Sequence, residues 1–167
     1  MLACVDAHYS ERATAAARIL FRRWDDCQPA DEQAIVGPLA RPYRPGHFYE
    51  RELPALLAVL GDAVVDAVIV DGHVWLADQL PGLGAHLHEV LGGRIAVVGV
   101  AKRRYRGSTF ARPVLRGKSG RPLWVTAAGM DPALAASAIQ GMAGAHRIPD
   151  LLRRVDALAR RALAGGG

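Results

Sequence analysis

Three carboxylates stand where stretches of the chain change character. Asp6 closes an apolar run, Glu52 opens an amphipathic stretch, and Asp71 closes a second apolar run. An acid at the C-terminal end of an apolar strand is a poor packing choice, because burying it unpaired costs on the order of several kcal/mol. Acids at the ends of neighbouring strands can line a crevice. A hard divalent ion, Mg²⁺ or Mn²⁺, would relieve that cost, since such ions take carboxylate oxygens and water. Ions of this kind activate water and stabilise a leaving oxygen in phosphodiester cleavage. Taken singly, each acid fits a plainer role: Asp71-Gly72 is an ordinary turn dipeptide, and Asp6 could cap a turn. The metal reading gains weight only with the charge pattern elsewhere.

That pattern is a basic segment over 102–121. It holds Lys102, Arg103, Arg104, Arg106, Arg112, Arg116, Lys118 and Arg121, with Tyr105 and Phe110 among them and no Asp or Glu. Arg binds phosphate bidentately and stacks on bases, and aromatic rings stack as well. A solvated basic hairpin would have the same composition. The net charge of +5 agrees with an anionic partner without demanding one. Lysine occurs only at Lys102 and Lys118, so a compact ammonium at Lys102 stands out in a chain that otherwise uses Arg.

Other chemistries find little support. The histidines (His8, His47, His73, His86, His88, His146) show no His-x-x-x-His spacing. They read as surface or hydrogen-bonded side chains, except that His73 follows Asp71-Gly72 and could reach the same crevice. Two cysteines, Cys4 and Cys27, exclude a disulfide-dense scaffold and a four-cysteine zinc site. Gly117-Lys118-Ser119 lacks the earlier glycine of a phosphate-binding loop, and no nucleophile elbow occurs.

The elements that must position these residues can be read in outline. Hydrophobic residues make up 51% of 167, enough for a real core. One domain is expected over 1–164, with a frayed tail at 165–167. No apolar run reaches the ~18–20 residues of a membrane span, and no signal peptide is evident. A cytoplasmic protein without a membrane partner is therefore expected. Residues 2–5 read as a strand, and 13–21 have a helix-like alanine content. Residues 33–36 read as a strand, and 37–46 as a rigid Pro/Gly loop. A helix is expected over 52–60, a buried strand over 63–70, a helix over 83–91 and a strand over 94–100. A basic hairpin joins 113–115 to 122–126. Asp131-Pro132 starts a helix running to about 143, and Pro149 starts the last one, to about 163. The order gives an α/β chain with a mixed sheet.

Several segments together resemble the endonuclease V family, which acts on deaminated purines. They are Val5-Asp6, Pro42-Tyr43-Arg44-Pro45-Gly46, Arg51-Glu52, Val70-Asp71-Gly72-His73, Gly99-Val100-Ala101-Lys102, and His146-Arg147-Ile148-Pro149 with Arg153 and Asp156. They occur in the family's order over nearly the whole chain. The resemblance implies a ribonuclease H-like fold: a mixed central sheet with an antiparallel three-strand start and flanking helices. It therefore makes 13–21 the second strand. It implies Mg²⁺ (or Mn²⁺) held by Asp6, Glu52 and Asp71, and hydrolysis of the second phosphodiester 3′ to inosine in DNA or RNA. Lys102 resembles the family lysine beside the reacting phosphate, where an ammonium would offset developing charge. Tyr43, with Pro45 and Gly46, resembles the wedge that fills the stack when a purine flips out. Gly72 and Gly82 resemble the glycines that leave room for that base. His73, Arg103, Arg104 and Lys118 complete the expected nucleic-acid contacts, and a monomer is expected.

The sequence departs from the family pattern in places. Val74 stands for a glycine, Ala77 for a histidine, Arg44 for the wedge isoleucine, and Gly129-Met130 for Gly-His with Asp131 next to it. The chain reads as an N-terminally short member. These departures motivate an alternative, a non-cleaving nucleic-acid-binding protein on the same fold. An enzyme for a small phosphorylated substrate fits the acids but not the long basic segment.

Overall fold

The computed structural model describes residues 1–38 and 49–166. The chain opens with an antiparallel meander of β1 (Leu2–Tyr9), β2 (Ala13–Phe21) and β3 (Asp31–Pro38). Then come α1 (Tyr49–Leu60), β4 (Ala67–Asp71), a small hairpin of β5 (Trp75–Ala77) and β6 (Leu80–Pro81), α2 (Leu83–Val90) and β7 (Ala96–Ala101). The chain continues through β8 (Arg112–Val114), β9 (Leu123–Ala128), α3 (Pro132–Gly141) and α4 (Asp150–Gly165). The main sheet runs β3-β2-β1-β4-β7-β9-β8, with β1, β4 and β7 parallel and the other neighbours antiparallel.

The sheet is covered on both faces, and strand alternation decides which residue goes where. Leu2, Cys4, Ala17, Ile19, Ile69, Val98 and Val100 share one core with Ile139 of α3 and Leu151, Val155 and Ala159 of α4. Ala3, Val5, Ala16, Val68 and Val70 share the other with Leu56 and Val59 of α1 and Leu87 of α2. Ala15, Ala16 and Ala17 in β2 are all fully buried. Small side chains there let both helical layers close on the strand, so an alanine run that suits a helix forms a strand instead.

Element bounds shift for identifiable reasons. The expected strand over 63–70 starts only at Ala67, because Val64 is 89% exposed and Asp66 is tied to the N-terminal ammonium at 2.6 Å. The third strand is longer than 33–36, pairing from Leu20↔Asp31 to Ala13↔Pro38. The β5–β6 hairpin was not expected. It turns through Asp78-Gln79, with Gln79 at φ 55°. Asp131 caps α3, its Oδ1 accepting from Ala133 N at 2.6 Å and Leu134 N at 3.3 Å. Among the described residues no helix is long and apolar enough to cross a membrane.

Candidate active site

Pairing registers explain why the acids meet. In the parallel β1–β4 pair Val5 is opposite Val70, so Asp6 and Asp71 come next on adjacent strands at the same edge. Asp71 is in turn opposite Val100 of β7, which puts Lys102 just past the end of the third parallel strand. Asp6 and His8 share alternation with Cys4, Asp71 with Ile69, and Lys102 with Val100. All of these partners belong to the core under α4. The alternation therefore turns Asp6, His8, Asp71 and Lys102 toward the face on which α4 lies.

There Asp6, Asp71 and Lys102 line a cleft of about 310 Å³ together with Asp156 and Arg153 of α4, and His8 meets it through its contacts with Asp6 and Asp156. Lys102 Nζ donates to Asp71 Oδ2 at 2.7 Å. Burial alone would pull the lysine down, but the hydrogen bond and charge of Asp71, with Asp156 and Asp6, outweigh it and lift its pKa. Asp6 is only 11% exposed. Burial first, then the charges of Asp71 and Asp156, push its pKa up to about 6 despite His8. Asp156 is held the other way. Burial would raise it, but hydrogen bonds from Arg160 and His8 keep it below the ordinary carboxylate range. Arg160 grips it twice, at 3.0 and 3.2 Å.

Glu52 sits in the first turn of α1, which packs on the opposite face of the sheet. It is not among the residues lining the cleft, yet the charges of Asp6 and Asp71 reach it. Burial, followed by those two charges, pushes its pKa up to about 8. Three carboxylates thus carry more negative charge than Lys102 alone offsets. Their oxygens are the donors that a hard divalent ion takes, so the residues present fit one.

The second group is less uniform. Arg103, Arg104 and Lys118 are exposed. Arg104 is partly a brace: its Nε donates to Ser108 O at 2.8 Å and its guanidinium lies 5.3 Å from the Trp124 ring centre. His73 Nε2 lies 3.0 Å from Arg103 O, linking the Asp71 turn to the basic segment. Gly72, at φ 126°, has open space where a side chain would project. Gly82 differs, since a Cβ there would fall 2.4 Å from His73 O. Its lack of a side chain lets two backbone segments touch. Tyr43, Pro45 and Gly46 lie outside the described residues.

The family model for Endonuclease V matches residues 1–130. The chain belongs to the endonuclease V family. Endonuclease V of Streptomyces coelicolor is 30% identical over 184 residues, covering 95% of this chain and 77% of the relative. That of Streptomyces avermitilis is 32% identical, covering 79% and 66%. That of Pyrococcus abyssi is 29% identical, covering 64% and 54%. The matches thus span from about half to about three quarters of these relatives' length. The crystal structure of the Streptomyces avermitilis protein superposes with a TM-score of 0.80 at 26% identity, over 99% of this chain and 82% of that one. Ciona intestinalis endonuclease V, in complex with a 24mer DNA containing an inosine followed by a ribo-adenosine, shares the fold at 17% identity. Its TM-score is 0.80, over 99% of this chain and 87% of that one. The mixed sheet and flanking helices are the ribonuclease H-like architecture of endonuclease V.

Against this endonuclease V frame, sequence reasoning had assigned no role to Asp156, His8 or Arg147. Asp156 follows the quoted Arg147-Ile148-Pro149 motif, but as one acid on a charged helix face it carried no signal of its own. Among the described residues, Asp6, His8 and Asp156 form the group whose donor atoms all lie within 4.8 Å of one another; Glu52 and Asp71 are outside it. Arg147 Nη2 donates to Lys102 O at 2.6 Å and Pro122 O at 2.8 Å, fixing the backbone that carries the lysine. Arg116, one of the eight bases of the 102–121 segment, is buried. Its guanidinium donates to Met142 O at 2.6 Å and Gly144 O at 3.0 Å, closing the C-terminal end of α3.

Proposed function

We propose that this chain is a divalent-metal-dependent endonuclease that hydrolyses a phosphodiester bond 3′ to a deaminated purine, inosine, in DNA or RNA. The observation that carries the reading is the convergence of Asp6, Asp71, Asp156 and Lys102 on one cleft, with Glu52 close enough for its pKa to be raised by the same acids. Asp6, Asp71 and Asp156, with Glu52, would hold Mg²⁺ or Mn²⁺. Bound there, such an ion would supply Lewis-acid activation of water and charge stabilisation at the cleaved phosphate. Lys102, paired with Asp71, keeps its ammonium protonated and faces the phosphate position. Charge growing on the non-bridging oxygens is offset there without reorganisation of solvent. Arg147 holds that lysine's backbone in place. Arg103 and Lys118 attract the strand, and Tyr43 fills the gap left by the flipped base.

The second reading, a protein that binds nucleic acid without cutting it, is favoured by Val74. Its side chain is fully buried against Gly84, in space that a glycine at position 74 would leave open. One experiment addresses both. End-labelled single strands with one inosine, as DNA and as RNA, are incubated with Mg²⁺ or Mn²⁺ and either wild type or Asp71→Ala. The expected product ends one nucleotide beyond inosine and is lost in the variant, whose circular dichroism is unchanged. Full activity in Asp71→Ala would overturn the site. Absence of product at any metal concentration, with salt-sensitive retention of the strand, would replace the nuclease by the binding protein.

A further inference from the structure

Resting on the reading of Asp6 and Asp156 as metal ligands, we propose that His8 supplies an imidazole nitrogen to the same ion. It thereby tunes the site toward Mn²⁺ and other first-row transition ions over Mg²⁺. His8 lies two positions beyond Asp6 on β1, so strand alternation turns both side chains to the α4 face. Its Nε2 is 3.0 Å from Asp156 Oδ1 and 3.4 Å from Asp6 Oδ2. Metal–ligand bonds of about 2.1 Å put neighbouring donors roughly 3.0 Å apart in an octahedron and roughly 3.4 Å apart in a tetrahedron. The two contacts of His8 therefore have the length of edges of a coordination shell, and the donor atoms of all three side chains lie within 4.8 Å of one another. In the metal-free protein Nε2–H bonds Asp156 at this spacing, and a bound ion would take the place of that proton. With its proton on Nδ1, a neutral imidazole presents the Nε2 lone pair to the point where both carboxylates converge. Arg160 donates to both oxygens of the Asp156 carboxylate, so Oδ1, the oxygen facing His8, is held in position.

The consequence is selectivity. A site of carboxylates and water suits Mg²⁺, whereas an imidazole donor strengthens binding along the series from Mn²⁺ to Zn²⁺. The nitrogen comes from β1 and Asp156 from α4, so docking of α4 onto β1 builds this part of the shell.

The test uses the full chain loaded with Mn²⁺. Pulsed electron paramagnetic resonance reads ¹⁴N coupling to the ion, and titration with Mg²⁺ competition reads both affinities. Wild type, His8→Ser and His8→Gln are compared; the glutamine keeps a hydrogen-bonding group at similar reach if the serine unfolds. Wild type is expected to show ¹⁴N coupling, and both variants to lose it. Mn²⁺ affinity should fall about tenfold or more while Mg²⁺ affinity changes by less than about threefold. Mn²⁺-loaded wild type without ¹⁴N coupling, or coupling that persists in the variants, would overturn the role of His8 and leave the metal site standing. Failure of wild type to bind Mn²⁺ at all would overturn the metal site and this inference with it.

Discussion

At the scale of single residues, the ion pair between Lys102 and Asp71 separates stability from chemistry. Its members are 49% and 43% exposed, and a pair this open contributes at most about 1 kcal/mol to folding. Lys102→Met should therefore leave the melting temperature nearly unchanged while lowering cleavage by about 10²–10³-fold, the usual cost of losing one preorganised charge donor. Single-turnover rates at saturating metal would check this. The buried acids behave oppositely. Asp6, pushed up to about 6, and Glu52, pushed up to about 8, lie above their ordinary values of 3.8 and 4.5. The folded metal-free protein therefore holds protons that the unfolded chain has released. The stability these two acids contribute is complete below about pH 4 and is lost as pH rises through about 6 and then 8. Thermal melts in a chelator should show a falling contribution from about pH 5 to 8. Mg²⁺ or Mn²⁺ should restore more stability at the alkaline end. A chelated melting temperature that rises over that range would contradict the arrangement. Asp6 and Asp71 were legible in the sequence because each ends an apolar run, and Lys102 because the chain otherwise uses arginine. Asp156 and His8 were not. An acid four residues before an arginine on an amphipathic helix reads as a solvated pair, and only docking against β1 aims it at the cleft.

At the scale of elements, Arg116 shows how a charge count misleads. It was one of eight bases in an acid-free segment, yet it reaches the carbonyls at the end of α3. Those carbonyls belong to Met142, Ala143 and Gly144, just past the last helical residue, and the guanidinium donates to all three. Arg116→Met should destabilise the protein by about 2–4 kcal/mol in urea unfolding, as expected for a buried charged donor serving several acceptors. It should leave the salt dependence of nucleic-acid binding unchanged. The helices over α1, α2 and α3 were legible from apolar spacing and the Asp131-Pro132 start. The strand β2 was not legible from composition, because its alanines are chosen for thinness between two layers. That is a property of the assembled sheet. The β5–β6 hairpin escaped because strands of three and two residues leave almost no pattern.

At the scale of the whole molecule, one side of the chain gathers acids in a cleft and the adjoining loop carries exposed arginine and lysine. Nucleic-acid binding should weaken linearly on a log–log plot against salt. Arg103→Ala and Lys118→Ala should each reduce the slope by roughly 0.7 on a single strand. Fluorescence anisotropy over a salt series measures it, and an unchanged slope in both variants would move the strand off this surface. The parallel centre of the sheet followed from the strand–helix order. The edge order β7-β9-β8 did not, since a hairpin can add to either side of a strand and only packing with α3 selects one.

The pairing of His8 with Asp156 spans 148 positions of sequence. On a ribosome, at about 5–20 residues per second, the first strand waits on the order of ten seconds for the helix that completes its cleft. The antiparallel meander can form during that wait, whereas the grouping of Asp6, His8 and Asp156 cannot. A half-made chain thus lacks an intact cleft until α4 has emerged and docked on β1. Synthesis order alone places completion of the cleft after every strand of the main sheet has been made.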